Sequence, residues 1–202
     1  MFIEGAIHTI DRLSRGVGHA FAWCIVFLTL GTTYEVFVRY VLRDPTSWAY
    51  DMSYILYGAL FLMSGAYALS RNAHVRGDII FRLLKPRVQA WLELVLYFFF
   101  FFPGVIALMY SGWGYAADAI RLTEVSVNSP VGVPIWQLKA IIPAAGALLA
   151  LQGIAEILRC VVCIRSGEWP PRLHDVEELE SALKAQQEDL ARQQNKAKAK
   201  KA

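Results

Sequence analysis

Charge is scarce in this chain of 202 residues: only 18% of its side chains are Asp, Glu, Lys or Arg, against 56% hydrophobic and 13% aromatic. That balance, with a mean hydropathy of +0.38, disfavours a soluble enzyme. The formal charge of +3 hides an uneven layout, because seven basic and seven acidic residues lie after residue 166. Cysteine is limited to Cys24, Cys160 and Cys163, an odd number in apolar settings, which argues against a secreted disulfide framework. No G-x-x-x-x-G-K-[ST] loop occurs, so ATP hydrolysis of the usual kind is not expected. The opening Met1-Phe2-Ile3-Glu4 does not resemble a cleavable signal peptide, since no small-residue cleavage site follows the first apolar run. Only His19 falls inside such a run, whereas His8, His74 and His174 do not, so haem ligation by facing histidines is not expected. No metal, cofactor or nucleic-acid partner is anticipated.

What the chain has in quantity is long apolar runs. A helix needs roughly 20 apolar residues to cross a hydrocarbon core of about 30 Å. Four segments qualify, at about 17–41, 50–70, 90–113 and 135–163. The stretches Met52–Leu69 and Leu94–Ala117 carry no charge, and the second includes the unbroken phenylalanines Phe98–Phe102. A chain this short has too little polar protein to bury four such helices in a soluble core. The expected fold is an all-α membrane protein with four transmembrane helices occupying 17–166. Pro103 and Pro143 each withhold an N–H, which predicts kinks at both.

Lys and Arg in short loops stay on the cytoplasmic side. Arg12 and Arg15, the loop residues Arg71, Arg76, Arg82, Lys85 and Arg87, and every basic residue from Arg159 onward fall on one side of the four spans. Arg39, Arg43, Arg121 and Lys139 are left for the other, so both termini are expected to be cytoplasmic. Residues 1–16 show one apolar face (Ile3, Ile7, Ile10) beside Asp11, Arg12 and Arg15, as in an interfacial amphipathic helix, and Val75–Val88 repeats the pattern. Residues 167–202 form a charged tail, partly helical or disordered, in which Val176, Leu179, Leu183 and Leu190 give a weak heptad.

Ionisable groups inside spans are costly and need a reason. Glu35 and Arg39 stand one turn apart near the outer headgroups. They fit a polar lock on a neighbouring helix or subunit and, equally, a pair that snorkels into water. Gly146, Ala150 and Gly153 line one face of the last span and allow close helix approach, and Gly58 and Gly65 do so in the second. Gln152 can add an interhelical hydrogen bond. Cys160-Val161-Val162-Cys163 has the spacing of a redox pair, although packing is the simpler reading for thiols that face a reducing compartment. No set of polar groups converges near the midplane as a solute site does.

The run Glu35-Val36-Phe37-Val38-Arg39-Tyr40-Val41, then Pro45, Trp48 and Asp51, then Ala66-Tyr67-Ala68-Leu69 and Asn72-Ala73-His74-Val75-Arg76-Gly77-Asp78, resembles the DctQ-type small membrane subunit of tripartite ATP-independent periplasmic (TRAP) transporters. Ser129-Pro130 through Trp136, Ile142-Pro143 and Leu151-Gln152-Gly153 fit that family's last span, so the resemblance covers about residues 17–160. Asp51 departs from it, standing where a glutamate is expected. The resemblance implies a multi-pass protein of the bacterial inner membrane that scaffolds a large DctM-type subunit. It also implies help in docking a periplasmic substrate-binding protein, for sodium-coupled uptake of an organic acid. It implies an inter-subunit face at Glu35, Arg39, Gly146, Ala150 and Gly153, and a docking surface at Arg43, Trp48, Asp51, Arg121 and Glu124. Leu122-Thr123-Glu124 and Leu151-Gln152-Gly153 are similar to branches serving oxo acids and other monocarboxylates. Membrane lipids are the remaining partner. The rival classes are a four-helix redox or haem anchor and a self-contained small channel or exporter.

Overall fold

A computed structural model of the chain describes residues 2–72, 81 and 83–172. The chain divides into two units, Met1–Trp169 and Pro170–Ala202, and every described helix belongs to the first. Half of the amphipathic stretch Val75–Val88, the heptad of the tail, and His74 and His174 lie outside the described residues.

Helix α1 (Phe2–Phe37) passes into a π-helical stretch, Val38–Leu42. After a short connection comes α2 (Ala49–Ser70). Helix α3 (Pro86–Leu96), a second π-helical stretch at Tyr97–Phe101 and α4 (Phe102–Arg121) follow one another without a gap, and α5 covers Trp136–Ser166. Four helical rods, Ile3–Leu42, Ala49–Ser70, Pro86–Arg121 and Trp136–Ser166, are long and apolar enough to cross a membrane. The described architecture is thus all-helical, with four such rods.

Residues 1–16 do not form a separate helix. α1 runs through Gly16 and Gly18 unbroken, because an isolated glycine costs a helix only about 1 kcal/mol and tertiary contacts hold both sides. On the near side of those glycines, Ile7, Asp11 and Ser14 are buried. At Gly18 the backbone approaches α2 so closely that a Cβ there would lie 2.6 Å from that of Tyr67.

α5 is the hub and packs against α1, α2, α3 and α4. Leu138 and Leu149 of α5 lie against Gly58 and Gly65 of α2. An adjoining face of α5 receives Met109 of α4 at Gly146 and Phe101 at Gly153. The expected disturbance at Pro103 takes the form of the π turn just before it. The proline ring crowds the carbonyl four residues back, and the ladder widens so that the Phe102 N–H bonds to the Tyr97 carbonyl. Pro143 lies inside α5, which continues through it to Ser166. Gly167, at φ 86°, closes α5 by donating its N–H to the Cys163 carbonyl at 2.8 Å.

Candidate functional site: polar clamps at the two ends of the bundle

At the end formed by the start of α1 and the last turns of α5, five polar side chains meet inside the bundle. Ser14 Oγ donates to Gln152 Oε1 at 2.7 Å, and Gln152 Nε2 donates to Asp11 Oδ1 at 2.9 Å. Arg159 then pairs with Asp11 Oδ2 and, at 2.5 Å, with Glu156 Oε1. Gln152, Glu156 and Arg159 are entirely hidden, and Asp11 and Ser14 are 2% exposed. A buried charge without a partner costs several kcal/mol, so this cluster specifies how α1 sits on α5. Only Arg159 Nε lacks a partner here among the described residues.

Sequence reasoning singled out Gln152 and missed the other four. The signal was present: Gln152, Glu156 and Arg159 recur at i, i+4 and i+7, one face of a helix, and Asp11 and Ser14 at i and i+3. A short distance along α5, Cys160 and Cys163 pack with Ala90 and Leu94. Their sulfurs approach Glu93 Oε2 at 3.8 Å and the Pro86 carbonyl at 3.6 Å.

At the opposite end the chain makes a second clamp. Residues 124–135 fold back on themselves: Ser126 N–H donates to the Val133 carbonyl at 2.8 Å, and Ile135 N–H to the Glu124 carbonyl at 3.1 Å. Ser126 Oγ donates to Asp51 Oδ1 at 2.6 Å, and Ser129 Oγ to the Ser47 carbonyl, tying this turn to the start of α2. Lys139 Nζ pairs with Glu124 Oε2 at 2.5 Å and stands 3.9 Å from the centre of the Tyr115 ring.

Glu35 joins the same end. Its carboxylate accepts from Arg39 at 2.6 Å and from the Thr46 hydroxyl and N–H, so it fastens the π turn and Arg43 to the connection before α2. Arg43, the residue that ends this helix, holds a left-handed φ of 57°.

The residues expected on a docking surface therefore separate. Arg43, Trp48 and Arg121 are exposed, and Glu124 is half-buried beside Lys139. Asp51 is 0% exposed, which removes it from direct contact with a soluble protein. It is buried because the turn at Ser126 covers it, and its Oδ2 has no hydrogen-bond partner among the described residues.

The residues expected on an inter-subunit face separate too. Glu35 is buried and Arg39 exposed, at one end of α1. Gly146 and Gly153 are buried against Met109 and Phe101 of the same chain, with Ala150 half-buried between them. Small side chains on α5 are used to seat the Pro86–Arg121 rod.

Compared with known protein families, residues 28–163 match the one described as tripartite ATP-independent periplasmic transporters, DctQ component. The chain belongs to the DctQ family. The match covers about two thirds of it and includes Glu35, Asp51, Gln152, Glu156 and Arg159, while Asp11 and Ser14 precede it. DctQ is a family of transporter subunits and not of enzymes, and membership makes this a TRAP small membrane subunit whose family works with a large membrane subunit and a binding protein. A search of curated proteins gave no match.

Proposed function

We propose that this DctQ chain braces the large TRAP subunit in the bacterial inner membrane and helps present a periplasmic surface to the binding protein, with both of its own termini cytoplasmic. Transport itself, sodium-coupled uptake of an organic acid such as a 2-oxo acid or other monocarboxylate, belongs to the assembled complex. The observation that carries this reading is where the polar groups go: the two clamps consume their charges within the chain, whereas α1 and the π-helical stretch that ends it present an apolar seam outward. Along that seam Trp23, Phe27, Leu30, Tyr34, Phe37 and Val41 recur at alternating spacings of four and three, and each is more than half exposed. Such a row is the knob pattern by which one helix seats against another.

The partner-facing surface proposed is this seam with Glu35 and Arg39 at its end. The small residues of α5 contribute indirectly, by fixing the bundle that carries it. The periplasmic surface proposed is Arg43, Trp48, Arg121 and Glu124, held in place by Asp51 beneath them. The distribution of basic residues supports the orientation.

The test is co-purification and reconstitution. The chain should bring down a large hydrophobic subunit in a fixed ratio, and the Trp23→Ala/Phe27→Ala double variant should reduce that yield several-fold. In liposomes the chain alone should move no solute, whereas the complex with its binding protein should take up an organic acid when a sodium gradient is imposed. Uptake by the chain alone, or a visible haem band after purification, overturns the reading.

A further inference from the structure

The two clamps differ in how they treat a buried carboxylate. At the end where α1 begins, Asp11 and Glu156 both have the Arg159 guanidinium as a partner. At the other end Asp51 is 0% exposed and accepts one hydrogen bond, from Ser126 Oγ at 2.6 Å. Its Oδ2 has no hydrogen-bond partner, and no cation pairs with it, among the described residues. Lys139, the buried cation of that end, is committed to Glu124 and the Tyr115 ring. A charge hidden from water without a counter-charge opposes the arrangement that hides it.

What hides Asp51 is the turn 124–135, and this turn is lightly held. Ser126 and Ser129 are its only buried residues. Their hydroxyls reach Asp51 and the Ser47 carbonyl, so the turn sits on the start of α2 with no buried apolar side chain to anchor it. Its aliphatic groups face out instead: Val125, Val127 and Val131 are 47%, 96% and 62% exposed. A segment with so few buried apolar contacts belongs to the part of a fold that opens most readily.

We propose that residues 124–135 are a latch, which the binding protein lifts off Asp51 on docking, and that a Lys or Arg side chain of that protein then pairs with the uncovered carboxylate. With the turn closed, Asp51 is out of a soluble protein's reach. The proposal rests on the reading that this end of the bundle faces the binding protein. The page fixes the chemistry of the occupant in two ways. Asp51 calls for a cation that this chain does not supply, and a charge-assisted bond to it is stronger than the hydroxyl contact given up. The exposed valines call for an apolar area around that cation, which a protein surface offers and a free metal ion does not. A latch that is mostly closed also weakens docking, because only the open fraction can bind.

The test measures the affinity of the binding protein for the complex of this chain with its large subunit, held in nanodiscs. Ser126→Ala frees the turn and leaves the carboxylate, so affinity should rise about three-fold or more. Asp51→Asn keeps an acceptor for Ser126 and removes the charge, so affinity should fall about ten-fold or more. A turn with a merely structural role moves both variants the same way. That result overturns the latch, as does no change in either, and both leave the docking reading standing. A wild-type complex that binds no binding protein overturns the docking reading and the latch together. Carbodiimide labelling of Asp51 without the binding protein reads the opening itself: it should be slow in the wild type and faster in Ser126→Ala, and equal rates overturn the latch. Protection from that labelling by sodium or calcium chloride alone places a free cation at Asp51 and overturns the proposed occupant.

Discussion

Asp11 of α1 and Arg159 of α5, 148 residues apart in the chain, form an ion pair that no solvent reaches. Arg159 has Glu156 as its second carboxylate, and Asp11 has the Gln152 amide as its second donor, so the pair is the centre of a closed network. Removing Arg159 strands the Asp11 and Glu156 carboxylates inside the bundle, and an uncompensated buried charge costs about 3–5 kcal/mol. Arg159→Met is expected to lower the thermal midpoint in detergent sharply. The Asp11→Leu/Glu156→Leu/Arg159→Met triple variant should recover much of that loss, because all three charges are then replaced by apolar groups and none is stranded. Equal midpoints for the single and triple variants refute the pairing.

The glycines of the bundle are expected to divide by what a methyl group meets. At Gly153 it meets the stiff ring of Phe101, and at Gly112 it meets Ile142 Cγ2 at 2.9 Å with the Pro143 ring behind. Gly153→Ala and Gly112→Ala should each destabilise by about 1–3 kcal/mol, the usual range for overpacking. Gly104, in a helix with nothing within 4 Å of the added atom, should accept alanine with a gain of up to about 1 kcal/mol. Denaturation of the three variants side by side decides whether close packing sets the order.

Much of this molecule was legible in its sequence, for reasons the packing makes plain. A run such as Met52–Leu69 has no polar alternative to a span, and the pairing of Glu35 with Arg39 follows from helix geometry alone. Contacts between distant elements left weaker traces. Asp11 read as part of a solvated face because a polar residue on an amphipathic helix is normally wet, and nothing local says that Arg159 waits for it. Asp51 was placed on the docking surface by the family resemblance alone, and only the fold of residues 124–135 reveals that Ser126 covers it. The stripe of Gly146 and Gly153 was correctly a place of close approach, but a stripe does not say whether the approaching helix is its own chain's or another's.

The clamp at Ser126 predicts that a single buried hydroxyl keeps the turn closed. Ser126→Ala leaves both Asp51 oxygens without a hydrogen bond among the described residues and should cost about 1–3 kcal/mol. Limited proteolysis should then cut near Val127, which is 96% exposed, faster than in the wild type. Asp51→Asn keeps an acceptor for the Ser126 hydroxyl and should protect the turn almost fully. If both variants are cut alike, the hydrogen bond is not what holds this turn.

Arg43 offers a test in which stability and function move in opposite directions. A left-handed backbone strains a side-chain-bearing residue by about 1–2 kcal/mol, and glycine escapes that strain. Arg43→Gly should therefore raise the thermal midpoint by a few degrees. If the guanidinium also meets the binding protein, uptake by the reconstituted complex should fall, and Arg43→Lys, which keeps the charge and the strain, should restore most of it. A variant that is more stable and equally active would keep the backbone argument and remove Arg43 from the docking surface.

Orientation can be read with two single cysteines in a chain lacking Cys24, Cys160 and Cys163. Val127 lies in the turn of one end and Leu83 just before α3 at the other, and they are 96% and 82% exposed. With the basic loops inside, Val127→Cys in intact spheroplasts should react with a membrane-impermeant maleimide, while Leu83→Cys should react only after permeabilisation. The reverse labelling inverts the topology and turns Arg43, Trp48 and Arg121 toward the cytoplasm, where they cannot meet a periplasmic protein. The buried Asp11–Arg159 network would survive that inversion unchanged, since it depends only on how α1 packs against α5.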